Sequence, residues 1–299
     1  MEMHQIRYFL AIADLGSFTE AAERCHVSQP SLSSQIAKLE AEVGGALFER
    51  RHSGSVLTAR GKLLLPRLRE IERTLERIGQ DVKDLDGLEG GIIRFGCLPT
   101  TGAYLLPSLL RDFRERYPKL TLKLQEDSSP LLASALLQGE LDLALVDEAG
   151  LGTGLRGWPL FTEPLVAAVP PEHRLAKQGA VALEALADEP LIVMKSGHGF
   201  RTIVLEAFRS RGIVPHIVYE SSGIETVQAL VLAGWGVSLV PRLVKRPDGP
   251  LYLDLLPPTP TRTLFIAARA TDPLSPASLI WERQVKAWFN SGSFGDHRG

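Results

Sequence analysis

Within two helical turns after Ser28 the chain places Gln29, Ser31, Ser33, Ser34 and Gln35, short side chains that both donate and accept hydrogen bonds. Groups of that kind at a helix start suit the edges of base pairs in a DNA major groove. Arg50, Arg51, Arg60 and Lys62 follow closely, where a wing would meet phosphate. A second set is spread over the C-terminal two thirds. Thr100 and Thr101, Ser128 and Ser129, and Ser196, Gly197 and His198 each follow a predicted strand. Hydroxyls and free backbone N–H groups at such steps suit a small polar or anionic ligand. Ser and Thr also cap helices without any ligand, so each position alone supports either reading.

The elements that must position the first set read as two short helices and a turn, preceded by a helix. The first helix spans residues 3–14, with Ile6, Phe9, Leu10 and Ala13 on one face, and Gly16 stops it. Ser17 and Glu20 form a capping box, and Ala21 and Ala22 allow close packing. Arg24-Cys25-His26 makes the turn. Ser28 caps the next helix, with Pro30 in its first turn. Leu32, Ile36, Leu39 and Val43 recur every three or four residues as a buried stripe, leaving the polar start outward. Residues 49–58 carry a short hairpin signal around Ser53-Gly54-Ser55. A helical subdomain with no DNA partner would share the caps and the stripe. Residues 1–60 hold six basic against seven acidic side chains, so placement rather than mean charge supports DNA contact.

From Thr58, Leu64, Leu68, Ile71, Leu75, Ile78, Val82 and Leu85 alternate at spacings of four and three between charged flanks. That is a heptad seam, satisfied by a partner helix or by the helix's own domain. Pro66 lies inside the pattern and is expected to kink its first turns. Asp86 to Gly91 reads as a hinge. Beyond it, strands at 92–96, 120–125 and 141–146 alternate with helices at 101–117 and 131–139, a βαβαβ order that predicts a mostly parallel sheet. A second set follows: strands at 165–169, 191–194, 217–219 and 237–240, and helices from Phe200 and Ile224. A strand at 264–268 and a helix near 275–289 end the pattern. Two α/β lobes are expected.

Size and composition narrow the class. The 299 residues, 44% hydrophobic and 23% charged with a net charge of −2, suggest two or three domains and no polycation. No apolar run is long enough to span a membrane, and the start lacks the pattern of a secretory signal, so a cytoplasmic protein is expected. Cys25 and Cys97 fall in different predicted domains and are not expected to pair. Cys97 reads either as a packing residue or as a thiol sensor. His173 and His216 have no nearby partner in sequence and read as surface residues.

The N-terminal segment resembles the LysR-type transcriptional regulators. The resemblance runs through Phe9-Leu10-Ala11-Ile12-Ala13, Gly16-Ser17-Phe18-Thr19-Glu20-Ala21-Ala22, Val27-Ser28-Gln29-Pro30-Ser31-Leu32-Ser33, Leu39-Glu40, Gly44, Leu47-Phe48-Glu49-Arg50 and Leu57-Thr58-Ala59-Arg60-Gly61. It implies an all-α winged helix-turn-helix over residues 1–58, with Gln29, Pro30, Ser33, Ser34 and Lys38 facing DNA and Arg50 in the wing. A linker and dimerisation helix over 59–87 would follow. Residues 91–299 would form a two-lobed, periplasmic-binding-protein-like effector domain, lobe 1 being 91–162 and 264–299 and lobe 2 being 163–263. Gly234-Trp235-Gly236-Val237-Ser238-Leu239-Val240-Pro241 carries the resemblance into that second lobe. The implied partners are an operator DNA, a small effector and further copies of the chain, as a dimer through the linker helix and a tetramer of two dimers.

Gly197-His198-Gly199-Phe200-Arg201 is most similar to the peroxide-sensing branch of that family. The two redox cysteines of that branch would fall on Gly199 and Phe208, so its dithiol chemistry is not implied, whereas Thr100, Ser129 and His198 match polar positions of its pocket. Two other classes compete. An enzyme finds no Gly-x-Ser-x-Gly, His-Glu-x-x-His, paired-cysteine or dinucleotide glycine motif, and no cofactor or metal is expected. An exported solute-binding protein would need the signal segment.

Overall fold

The computed structural model describes residues 1–51, 54–85 and 90–291, without the side chains of 50, 51, 76, 77 and 79–85. The chain divides into two compact units, Met1–Lys83 and Asp84–Gly299.

In the first unit α1 (Met3–Leu15), α2 (Phe18–Arg24) and α3 (Gln29–Glu42) pack around Phe9, Ile12, Leu32, Ile36 and Leu39, all nearly fully buried. Gly16 ends α1 in the left-handed region (φ 66°), as its missing Cβ permits. The Ser17 hydroxyl accepts the Glu20 N–H (3.3 Å), and Ser28 accepts the Ser31 N–H (3.4 Å). β1 (Phe48–Arg51) and β2 (Gly54–Leu57) form the antiparallel hairpin, with Phe48 opposite Leu57. The hairpin is anchored on the α1–α2 turn, where the Ser55 N–H donates to Gly16 O (2.7 Å). A side chain at Gly54 would place its Cβ 2.6 Å from Gly16 O, so this approach needs glycine.

Thr58 begins α4 (Ala59–Leu85), accepting the Gly61 N–H (3.1 Å), and the helix is continuous through Pro66. Its seam divides in two. Leu68 is 2% exposed and packs with Leu64 on the α1–α3 core, whereas Ile71, Leu75 and Ile78 are 39%, 40% and 55% exposed. The side chains of Val82 and Leu85, and the hinge expected over 86–91 apart from its last residues, lie outside the described residues.

The second unit has a mixed sheet. β3 (Ile92–Cys97) runs parallel to β4 (Thr121–Glu126) on one side and β5 (Leu143–Val146) on the other. β12 (Thr261–Arg269) is antiparallel to β5 and to the long β6 (Leu155–Val169). β6 changes partners midway: residues 155–164 pair with β12, and residues 165–169 pair with β10 (Ser238–Pro241) and β11 (Leu251–Leu255). β11 also meets β7 (Ala180–Val181), and β8 (Leu191–Met194) pairs in parallel with β9 (Ile217–Ser221). Trp281, fully buried on α10 (Pro276–Asn290), packs edge-on against Phe95 and Phe113 in one core. Phe208 centres a second, on α8 (Gly199–Arg209). α9 (Ile224–Leu232) closes a third against β8 and β10.

Three sequence expectations change. The expected mostly parallel sheet is mixed, because β12 and β6 enter it antiparallel to their neighbours. The single helix over 101–117 is two, α5 (Pro99–Tyr104) and α6 (Leu106–Arg116), because Pro107 offers no N–H to continue the first and sits in the opening turn of the second. The first ten residues of β6 went unread because Gly157, Pro159 and Pro164 look like breakers. Pro159 flanks a bulge that leaves Leu160 without an opposite residue, and Pro164 falls where the strand changes partners.

Candidate functional site

On the first unit, α3 presents Pro30, Ser31, Ser34 and Lys38 to solvent, with Gln29, Ser33 and Gln35 half-buried. Gln29 Nε2 donates to Ser33 Oγ (2.9 Å), one turn on, which fixes both side chains in one orientation. Gln5, 4% exposed on α1, donates to Gln35 Oε1 (3.3 Å) and holds the rotation of α3 against α1. The turn between α2 and α3 passes through His26 at φ 56°, a left-handed conformation uncommon outside glycine. Glu40 Oε1 accepts the Leu47 N–H (2.7 Å) and ties α3 to the start of the hairpin. Arg50 and Arg51 lie on β1, paired with Ser55 and Gly54, and their side chains are outside the described residues.

On the second unit a cavity opens at the carboxyl ends of β3, β4 and β5, where the rule for open α/β sheets places a ligand. Its walls are Leu98, Pro99, Thr100, Ser128, Ser129 and Asp147 from one side and Met194, His198, Gly199, Phe200, Ser222 and Ile224 from the other, with Arg262 from β12. It offers about 40 Å³ for the centres of water-sized groups, where one water takes about 10–15 Å³. That is room for a compact ligand.

Of the residues read from sequence, the cavity gathers Thr100, Ser128, Ser129 and His198. Thr101 is fully buried, and its hydroxyl donates to Leu98 O (2.8 Å) inside the α5 turn. Ser196 and Gly197 line an adjoining open groove of about 310 Å³ beside Arg201 and Arg209. The charged members were missed. Asp147 follows β5, a fourth strand end pointing to the same crevice, so its position was available from the rule already applied. Arg262 stands near the start of the antiparallel β12, whose early residues reach the crevice from the opposite direction, and no local signal marked it. His173, read as a bare surface residue, pairs with Glu189 Oε2 (3.2 Å) across a turn.

Arg262 is 1% exposed and stands opposite Glu163, which is 0% exposed, on the adjacent strand. Its Nε and Nη2 donate to Glu163 Oε1, and its Nη1 donates to Thr100 Oγ1 (3.1 Å). Glu163 Oε2 accepts the Leu243 N–H (2.7 Å). Three of the five guanidinium N–H groups are thereby bonded, and its charge is matched by Glu163.

Asp147 is 1% exposed. Its Oδ1 accepts the Ala149 N–H (3.1 Å), and its own N–H donates to Ser129 Oγ (3.1 Å). Burial pushes its carboxyl above the ordinary carboxylate range, against the downward pull of the Ser129 hydroxyl and Arg262. Gly199 lies directly on this group: a Cβ there would stand 2.9 Å from each carboxylate oxygen and 2.8 Å from Ala149 Cβ. The position where the peroxide-sensing pattern puts a reactive cysteine thus has no room for a side chain, and Phe208 is fully buried.

Cys97 is completely buried. Burial, with help from Glu126, pushes its thiol up to about 12, so almost none is thiolate at neutral pH. A thiol-reactive dye should leave Cys97 unmodified in the folded protein and label it only after denaturation. Rapid native-state labelling of Cys97, read by mass spectrometry in the Cys25→Ser variant, would contradict the buried placement.

A helix-turn-helix unit with a hairpin wing, on a chain that also carries an α/β unit with a cavity at its strand ends, is the arrangement of a DNA-binding regulator with a substrate-binding domain. Residues 3–62 match the family "Bacterial regulatory helix-turn-helix protein, lysR family", and residues 86–290 match the "LysR substrate binding domain". The chain belongs to the LysR family of DNA-binding transcriptional regulators, which are not enzymes. It is 33% identical to the "Uncharacterized HTH-type transcriptional regulator YcgK" of Bacillus subtilis over 99% of this chain and 98% of that one. It is also 33% identical to the "DNA-binding transcriptional dual regulator OxyR" of Escherichia coli, over 92% and 91% respectively. Among solved structures it resembles a full-length OxyR variant from Pseudomonas aeruginosa (TM-score 0.72, 30% identity, 96% and 95% covered). Full-length CbnR complexed with its target DNA is similar too (TM-score 0.72, 26% identity, 96% and 99% covered). Among the described residues, no helix is long and apolar enough to cross a membrane.

Proposed function

We propose that this regulator binds operator DNA through α3 and the wing, and that a small effector seated between the two lobes of its second unit controls the transcriptional outcome. The observation that carries the effector reading is the convergence of Thr100, Ser129, His198, Asp147 and Arg262 on one cavity built from both sides of the β6 partner change. A ligand touching both walls favours one lobe arrangement over another, and that differential affinity is all a switch requires. Gln29, Pro30, Ser31, Ser33, Ser34 and Lys38 face the DNA, with Arg50 and Arg51 on phosphate. Residues 1–58 act as the reading head, 59–87 as the dimerisation helix and 91–299 as the effector domain, in a cytoplasmic homodimer that pairs further into a tetramer. The trigger is binding rather than disulfide formation, because positions 199 and 208 hold Gly and Phe.

The experiment is a thermal-shift screen of small metabolites against wild type and Thr100→Phe, a variant that fills the cavity from its half-buried rim. Compounds that bind only the folded state raise the melting temperature. Hits should stabilise wild type, leave Thr100→Phe unmoved, and alter the wild-type DNA footprint. Hits that stabilise both proteins equally would place the effector elsewhere.

A further inference from the structure

We propose that the cavity selects an effector bearing a cationic hydrogen-bond donor, an ammonium or amidinium group on a compact apolar body, received by the carboxylate of Asp147. This deepens the effector reading above and rests on it. The serines, threonines and helix starts visible in the sequence suit a small polar or anionic ligand, and the side chains the fold adds shift the balance. Among the described lining residues the charged ones are Asp147 and Arg262. Arg262 spends its Nε and Nη2 on Glu163 and its Nη1 on Thr100, so its charge is already answered within the protein. Asp147 is hydrogen-bonded by the Ala149 amide and the Ser129 hydroxyl, both neutral, and Arg262 acts on it through its charge without a described ion pair.

The buried ionisable groups around the cavity are therefore two acids, Glu163 and Asp147, against one base, Arg262, and a bound cation would favour the ionised form of Asp147 that burial opposes. A ligand carboxylate in this small space would meet Asp147 at close range with little water between them, whereas an ammonium would complete the missing pair. The acid is held in place structurally. The Ala149 amide and the Ser129 hydroxyl hold it, beside the opening turn of α8, where a Cβ on Gly199 would stand 2.9 Å from each oxygen. The α8 start is thereby already supplied with a negative group by the protein itself. Met194, Phe200 and Ile224 on the opposite wall suit an apolar body attached to the cation.

The test uses small matched probes on the full chain: methylammonium against formate, and ethylammonium against acetate, titrated by calorimetry into wild type, Asp147→Asn and Thr100→Phe. Wild type should bind each ammonium roughly tenfold or more tightly than its carboxylate counterpart. Asp147→Asn, which keeps the shape and the acceptor oxygen, should erase that preference, and Thr100→Phe should abolish binding. The wild-type comparison needs no variant, so a poorly folding Asp147→Asn leaves it intact. Tighter binding of formate or acetate, lost in Thr100→Phe, would overturn the charge selection while leaving the cavity as the effector site. Ammonium binding that survives Thr100→Phe, an ammonium preference that survives Asp147→Asn, or no ammonium binding at all would likewise overturn it.

Discussion

Arg262→Ala should destabilise the second unit by about 3–5 kcal/mol, the range for removing one partner of a buried ion pair. The argument is one of stranded charge. Glu163 is fully buried, and without the guanidinium its carboxylate keeps the Leu243 amide as its remaining partner among the contacts described here, while Thr100 Oγ1 loses a donor. Replacing both members removes the charge as well as the pair, so Arg262→Leu with Glu163→Leu should recover much of the loss. Arg262→Lys should fall between, because an ammonium cannot span Glu163 and Thr100 as the planar fork does. Urea denaturation followed by tryptophan fluorescence measures all three. A loss below about 1 kcal/mol in Arg262→Ala would mean that water reaches the pair and that it behaves as a surface bridge.

If two chains pair through α4 as proposed, Ile71→Asp combined with Ile78→Asp should separate that pair. Both side chains lie on the part of α4 beyond Leu68, where the seam leaves the core of its own unit and stands exposed with Leu75. An apolar heptad stripe in water is the face that a second helix covers, and a charge at each of two core positions opposes that pairing. Two reading heads on one symmetric operator also depend on the pairing, so DNA affinity should fall with it. Light scattering gives the mass directly. An assembly unchanged in the double variant would remove α4 from the interface. The folded state of each unit should survive, because neither isoleucine is buried within its own chain.

The head was legible almost residue by residue, because its caps, turn and stripe are local. Ser17, Ser28, Gly16 and the spacing of Leu32, Ile36 and Leu39 each fix their own neighbourhood. The seam was legible as a pattern, while its division at Leu68 depended on which residues the head covers. In the second unit the order of elements was readable from alternation, and of the seven strand-end residues read from sequence Thr100, Ser128, Ser129 and His198 line the cavity, whereas Thr101, Ser196 and Gly197 do not. What was not readable is non-local. Arg262 and Glu163 are 99 positions apart, and only strand pairing makes them neighbours. Asp147 looked like one acid among many until burial and Gly199 enclosed it. Those side chains move the sequence expectation of a small polar or anionic effector towards the cationic one proposed above. Thr101 shows the reverse case: a hydroxyl of the right type at the right step, turned inward by the α5 turn to cap its own backbone.

The central claim is that the start of α3 reads DNA sequence, and fluorescence anisotropy tests it most directly. Wild type, Gln29→Ala and Ser33→Ala would be titrated against a duplex selected by wild type from a random pool, and against a scrambled duplex of equal length. Each substitution should cost about 1–3 kcal/mol on the selected duplex, the value of a base-edge contact, and leave the scrambled duplex nearly unaffected. Arg50→Ala should instead weaken both duplexes and flatten the dependence on salt. If all three variants bound both duplexes as wild type does, α3 and the wing would not be the reading surface, and the account would be wrong at its foundation.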